Sequence, residues 1–119
     1  MTCFYAVVSE AGPRWVRGTP MREQDAWTAH ATFMNALAEE RFVVLGGPLG
    51  DGSPHRAMLI VDARSETEVE RRLAADPWLR EGLLTVTSIQ RWEILLDGQG
   101  PDQPASAETA QTRARSSSA

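Results

Sequence analysis

One imidazole set into an apolar helical stripe is the first group in this chain with the means to do chemistry. Between Asp25 and Gly50, Trp27, His30, Ala31, Met34, Leu37 and Ala38 recur at helical spacing and share one face. Imidazole titrates near neutrality, so His30 can act as general base or acid. The same ring on an apolar face can equally be a core histidine, its nitrogens satisfied by backbone or water. Asp76 carries a similar double reading. Aspartate before Pro77, ahead of a short helical turn, is a natural N-cap. If the second helix lies beside the first, that carboxylate also comes within reach of the His30 face. A carboxylate on one ring nitrogen would fix the tautomer and leave the other nitrogen as the base.

The remaining candidates carry weaker signals. Gly46-Gly47-Pro48 reads as a turn after a strand, or as backbone held close to a ligand with N–H groups available to an oxyanion. Ser88 and Gln90 interrupt an otherwise apolar strand face; they are either solvated or lining a cavity. Trp15, Trp27, Trp78 and Trp92 either line an aromatic site or supply core and interface packing. Trp15 in particular is a plug or part of a lid. His55, between Pro54 and Arg56, reads as an exposed loop residue, and Arg71 and Arg72 as a solvated helix face. No His, Asp or Glu spacing suggests a metal site. Cys3 is the only cysteine, which excludes an intrachain disulfide and a thiolate-rich site. All twelve basic residues are arginine, so Schiff-base chemistry and covalent pyridoxal phosphate are excluded.

The elements that must position these groups follow in order. Cys3 to Ser9 is a strand, and Glu10 to Met21, with Gly12-Pro13, Gly18 and Pro20, is a loop. Thr19-Pro20 opens a helix expected to run to about Glu40. Phe42 to Gly46 is a second strand, Gly47 to Arg56 a turn-rich connection, and Ala57 to Asp62 a third strand, apolar on both faces. Ser65 and Glu68 form a capping box for a helix to about Ala75. Asp76-Pro77 starts a turn that ends at Gly82. Leu83 to Leu96 is a long strand in which Leu84, Val86, Trp92, Ile94 and Leu96 share a parity.

This βαββαβ order predicts an α+β, ferredoxin-like domain over residues 1–96, an antiparallel sheet with two helices on one face. Because FVVL and AMLIV are apolar at consecutive positions, the second face also needs cover, and a homodimer packed sheet to sheet is expected. Residues 97–119 contain no aromatic residue, and their composition predicts a disordered C-terminal tail. A net charge of −4 argues against a nucleic-acid partner. No apolar run is long enough to span a bilayer, and the N-terminus lacks the pattern of a signal peptide, so a cytoplasmic protein is expected.

His30, the GGPL run at 46–49, the ADPWLREGL segment and a strand ending near Trp92 together resemble the YCII (YciI-like) family over about residues 3–96. The resemblance implies a dimeric α+β barrel of ferredoxin-like subunits. It also implies a His–Asp active site, here His30 and Asp76, with Gly47 and Pro48 beside the pocket. Trp27 and Ser88 join these as candidate substrate contacts. A cofactor-free dehydrochlorinase of hydroxylated aromatics belongs to this resemblance, and the wider superfamily includes muconolactone isomerases and cofactor-free oxygenases. Where many members have Arg-Pro-x-His, this chain has Trp27-Thr28-Ala29-His30, and Leu83-Leu84 replaces a frequent aromatic after Gly82. Both departures touch expected pocket walls. The leading expectation is a cofactor-independent lyase or isomerase acting on a small, aromatic or related metabolite. The alternatives are a non-catalytic ligand-binding or interaction module with a structural His30, and, by superfamily analogy alone, an oxygenase or cyclase of quinone-like metabolites.

Overall fold

In a computed structural model, residues 2–98 are described; from residue 99 on, the expected tail lies outside them. The chain forms β1 (Cys3–Ala11), a 3-10 turn (Met21–Glu23), α1 (Trp27–Glu39), β2 (Val43–Leu49), β3 (Arg56–Ala63), α2 (Glu66–Leu73), α3 (Pro77–Arg80) and β4 (Leu84–Trp92). All pairings are antiparallel and the strand order is β2-β3-β1-β4, the ferredoxin-like arrangement. Alternation along the strands sends Tyr5 and Val7 of β1 and Val61 and Ala63 of β3 to the helix side. There they are buried with Leu37, Phe42, Val69 and Leu73. Phe4, Ala6, Val8, Met58 and Ile60 fall on the opposite face, which no helix covers among the described residues.

Local chemistry sets where each helix starts and stops. Ser65 caps α2 by accepting from Glu68 N at 3.1 Å, and the Glu68 carboxylate reaches back to Arg64 N at 2.8 Å, the reciprocal pattern of a capping box one residue wider. The end of α1 is closed by Phe42 N bonding Leu37 O and Arg41 N bonding Ala38 O, with Arg41 in the left-handed region. Phe42 and Leu37 meet in the core at that closure.

Three expectations need correction. The helix expected from Thr19-Pro20 is interrupted before Trp27. Gln24, only 4% exposed, adopts an extended backbone and turns its amide onto Val16 N, Val16 O and Thr19 O, tying the loop down instead of continuing the helix. Ala26 then reverses the chain in the left-handed region. The second strand does not stop at Gly46 but runs through Gly47 and Pro48 to Leu49. It is an edge strand, so the N–H that proline lacks costs no ladder bond. The last strand ends at Trp92, and a bulge between Val86 and Ser88 switches its parity. Leu84, Val86 and Ile89 therefore face the helices, whereas Ser88, Gln90 and Trp92 fall on the open face.

Gly12 is where the β1–α1 connection crosses the α3–β4 turn, with Gly12 N bonding Leu83 O at 2.8 Å. A Cβ there would run into the backbone of Gly82 and Leu83, which cannot move aside as a side chain can. At Gly47 a Cβ meets nothing within 4 Å. Gly12→Ala should therefore lower unfolding stability by about 2 kcal/mol or more, and Gly47→Ala by less than about 0.5, as read from urea midpoints.

Candidate active site

The two candidate chemical groups meet. His30 Nδ1 lies 2.8 Å from Asp76 Oδ1, across forty-six positions of sequence. The same carboxylate oxygen accepts Trp78 N at 3.0 Å as the N-cap of α3, so capping and contact with the histidine are both realised by one atom. If the carboxylate is ionised it can only accept, and a neutral imidazole then carries its proton on Nδ1 and has the Nε2 lone pair free. Asp76 is 1% exposed, and its Oδ2 has no partner among the described residues.

Trp78 organises the surroundings. Its ring stacks on His30 at 3.9 Å and 9°, meets Trp15 edge-on at 5.3 Å and lies 5.6 Å from Trp27. Its indole N–H donates to Asp25 O at 2.7 Å, a carbonyl just outside the start of α1 because of the break at Gln24–Ala26. Arg22 lies over the Trp27 ring at 5.7 Å. Trp15 has folded back rather than standing away, and its other neighbour is His55, stacked at 4.1 Å and 11°.

His55 is the largest departure from expectation. It is 6% exposed, not a solvated loop residue. Ala11 N donates to its carbonyl at 2.9 Å, which binds the end of the 50–55 loop to β1 and turns the ring under Trp15. Burial first, and the nearby His30 second, push its pKa below the ordinary 6.5. The turn-rich composition of GDGSPH pointed to solvent; only a long-range stack with a tryptophan forty residues earlier brings the ring inside.

A cavity of about 480 Å³ between α1, β2 and β3 is lined by His30, Asp76, His55, Trp27 and Trp78. Gly47 and Pro48 border it from the edge strand, Pro48 on the cavity side of the sheet and Gly47 through its backbone. Ser88 is elsewhere: past the β4 bulge it lines a more open groove of about 750 Å³ along β4 and α2. That groove is larger, but it contains neither histidine nor Asp76. The smaller cavity is the candidate site because it joins apolar walls to buried ionisable groups. Among the described residues, no group of three His, Cys, Asp or Glu side chains is placed to hold a metal, and no helix is long and apolar enough to cross a membrane.

Residues 3–93 match the YCII-related domain. The chain belongs to the YCII family. No curated protein matches it. Among solved structures, it is similar to the 5-chloro-2-hydroxyhydroquinone dehydrochlorinase TftG of Burkholderia phenoliruptrix AC1100 in complex with 2,5-dihydroxybenzoquinone. The two are 25% identical, the match covers 75% of this chain and 93% of that one, and the TM-score is 0.56. The YCII assignment and this neighbour agree with the ferredoxin-like fold built above from strand order and register.

The lowered His55 pKa makes stability pH-dependent with a definite sign. Below about 6.5 the unfolded chain binds a proton at this position that the folded chain resists, so stability rises with pH through that window and is lost on acidification. Urea midpoints measured from about pH 7.5 down to about 5 should fall, and His55→Phe, which keeps a stacking ring but cannot titrate, should flatten part of that slope.

Proposed function

We propose that this YCII-family chain is a cofactor-independent lyase or isomerase of a small oxygenated ring compound. His30 is its general base or acid, and Asp76 is the residue that holds the imidazole in one tautomer. One observation carries the reading: the 2.8 Å bond from His30 Nδ1 to a buried carboxylate, at the wall of a cavity of about 480 Å³. Imidazole with Nδ1 tied to a carboxylate presents Nε2 as a base of fixed direction. In an elimination, Nε2 takes a proton from an O–H or C–H of the ligand. The electron pair so released forms the new double bond, and the leaving group departs with the pair of its own bond. Trp27 and Trp78 supply flat walls for a planar ring, Pro48 borders it with a compact apolar ring, and Gly47 adds no side chain. The dehydrochlorination named for the structural neighbour is a reaction of this class.

The open sheet face extends the proposal. Trp92 and Leu45 are 43% and 54% exposed there, around Phe4, Val8 and Met58. That apolar area is a patch a lone subunit would leave wet, and a second copy packed face to face covers it. Light scattering should give about twice 13.1 kDa, and Met58→Glu should return the monomer mass.

Chloride release from 5-chloro-2-hydroxyhydroquinone and related hydroxylated haloaromatics tests the chemistry. Wild-type protein should release chloride, and His30→Ala should lose about 10²–10⁴ of the rate. Asp76→Asn should lose a comparable factor while melting within a few degrees of wild type, because the amide oxygen still caps Trp78 N. Full turnover by both variants, with only stability lowered, would make His30 a structural residue and the chain a ligand-binding module.

A further inference from the structure

The cavity holds a second imidazole that the His30–Asp76 chemistry does not use. His55 is buried, lines the same space, and is held from one side by the Trp15 stack and from the backbone by Ala11. Its ring nitrogens make no hydrogen bond among the described residues, and they are not closed off from solvent as Asp76 Oδ2 is, so a molecule in the cavity can reach them. The chain has only two histidines, and the fold brings both to one cavity through a continuous run of rings: His30 on Trp78, Trp78 against Trp15, Trp15 on His55.

The two imidazoles differ in one respect. His30 has a carboxylate on its inner nitrogen; His55 has none. A positive charge on His30 would make a proton on His55 still less favourable. Burial acts in the same direction. Both effects favour the neutral form of His55.

We propose that His55 is a substrate-binding residue of this cavity, a neutral imidazole whose ring N–H donates to a second oxygen of the ligand while His30 addresses the first. This rests on the reading of the site as one for an oxygenated ring compound, and it narrows the ligand class. The compound must carry at least two oxygens on a planar ring, one bearing or losing a proton and one accepting a hydrogen bond, as hydroquinones and hydroxyquinones do. Trp15 is then a positioning residue that holds the imidazole plane.

Two histidines make the test direct, since single substitutions assign both ring signals. The ¹⁵N and ¹³C resonances of His30 and His55 are followed while wild-type protein is titrated with 2,5-dihydroxybenzoquinone as the probe. His55→Phe and His55→Gln are titrated alongside by calorimetry. Phenylalanine keeps the stack on Trp15 and loses the donor; glutamine loses the stack and keeps an N–H donor. The expected result is that both rings shift on binding and His55 stays neutral at saturation. His55→Phe should bind about tenfold more weakly, and His55→Gln should recover most of that loss. A role in packing alone predicts the reverse order of the two variants, and that order overturns the proposal. Movement of His30 without movement of His55 also overturns it while leaving the His30 reading intact. If neither ring responds, both readings fall. Should either variant fail to fold, the wild-type titration decides by itself.

Discussion

A buried carboxylate sharing one oxygen between an imidazole and a backbone amide is the constraint on which this site depends. Asp76 is almost wholly removed from water, and an ionised carboxylate cannot be taken there without partners. Two groups converge on Oδ1: the His30 imidazole from α1 and the Trp78 N–H from the first turn of α3. Each partner belongs to a different helix, so the bonds to Oδ1 also fix how those helices meet, while Oδ2 has no partner among the described residues. The packing of α1 on α3 and the orientation of the imidazole are thus one structural fact. A loss at either end leaves the other group facing an unpaired buried charge.

Trp78 shows how the same short segment serves both packing and chemistry. Its amide completes the cap on Asp76, its ring covers one face of His30, and its indole N–H reaches Asp25 O. That last acceptor stands outside the start of α1 because the helix begins late, after Gln24 has turned its side chain onto the Val16–Thr19 loop. An element that looks like a defect in a longer helix therefore supplies a hydrogen bond to the central aromatic of the site. Trp15, carried by that tethered loop, then completes the wall by stacking on His55.

The sheet contributes by its irregularities. Its second strand lies at the edge, so Gly46, Gly47 and Pro48 can stay extended beside the cavity without leaving a ladder bond unmade. The bulge in β4 returns Ile89 to the core face and sends Ser88 and Gln90 away from the cavity. Without that one-residue slip, the polar pair would have continued the inward face set by Leu84 and Val86, and it would have stood against Val7 and the helices.

The residue types and their periods were sufficient for the architecture. The β-branched and aromatic runs, the Ser65–Glu68 cap, the Asp76-Pro77 turn and the helical stripe from Trp27 to Ala38 are local signals. Local signals survive because neighbouring residues decide them. The placing of His30 and Asp76 on facing helices was legible for the same reason, since the element order leaves those helices side by side. Strand parity past Val86, the early break before α1 and the inward turn of His55 were not legible. Each depends on a partner far along the chain: β1 for the bulge, the Val16–Thr19 backbone for Gln24, and Trp15 and the Ala11 amide for His55. A contact between distant residues has no period to betray it. Only the folded chain, where burial makes an unpaired polar group or an uncovered ring costly, determines which distant partners meet.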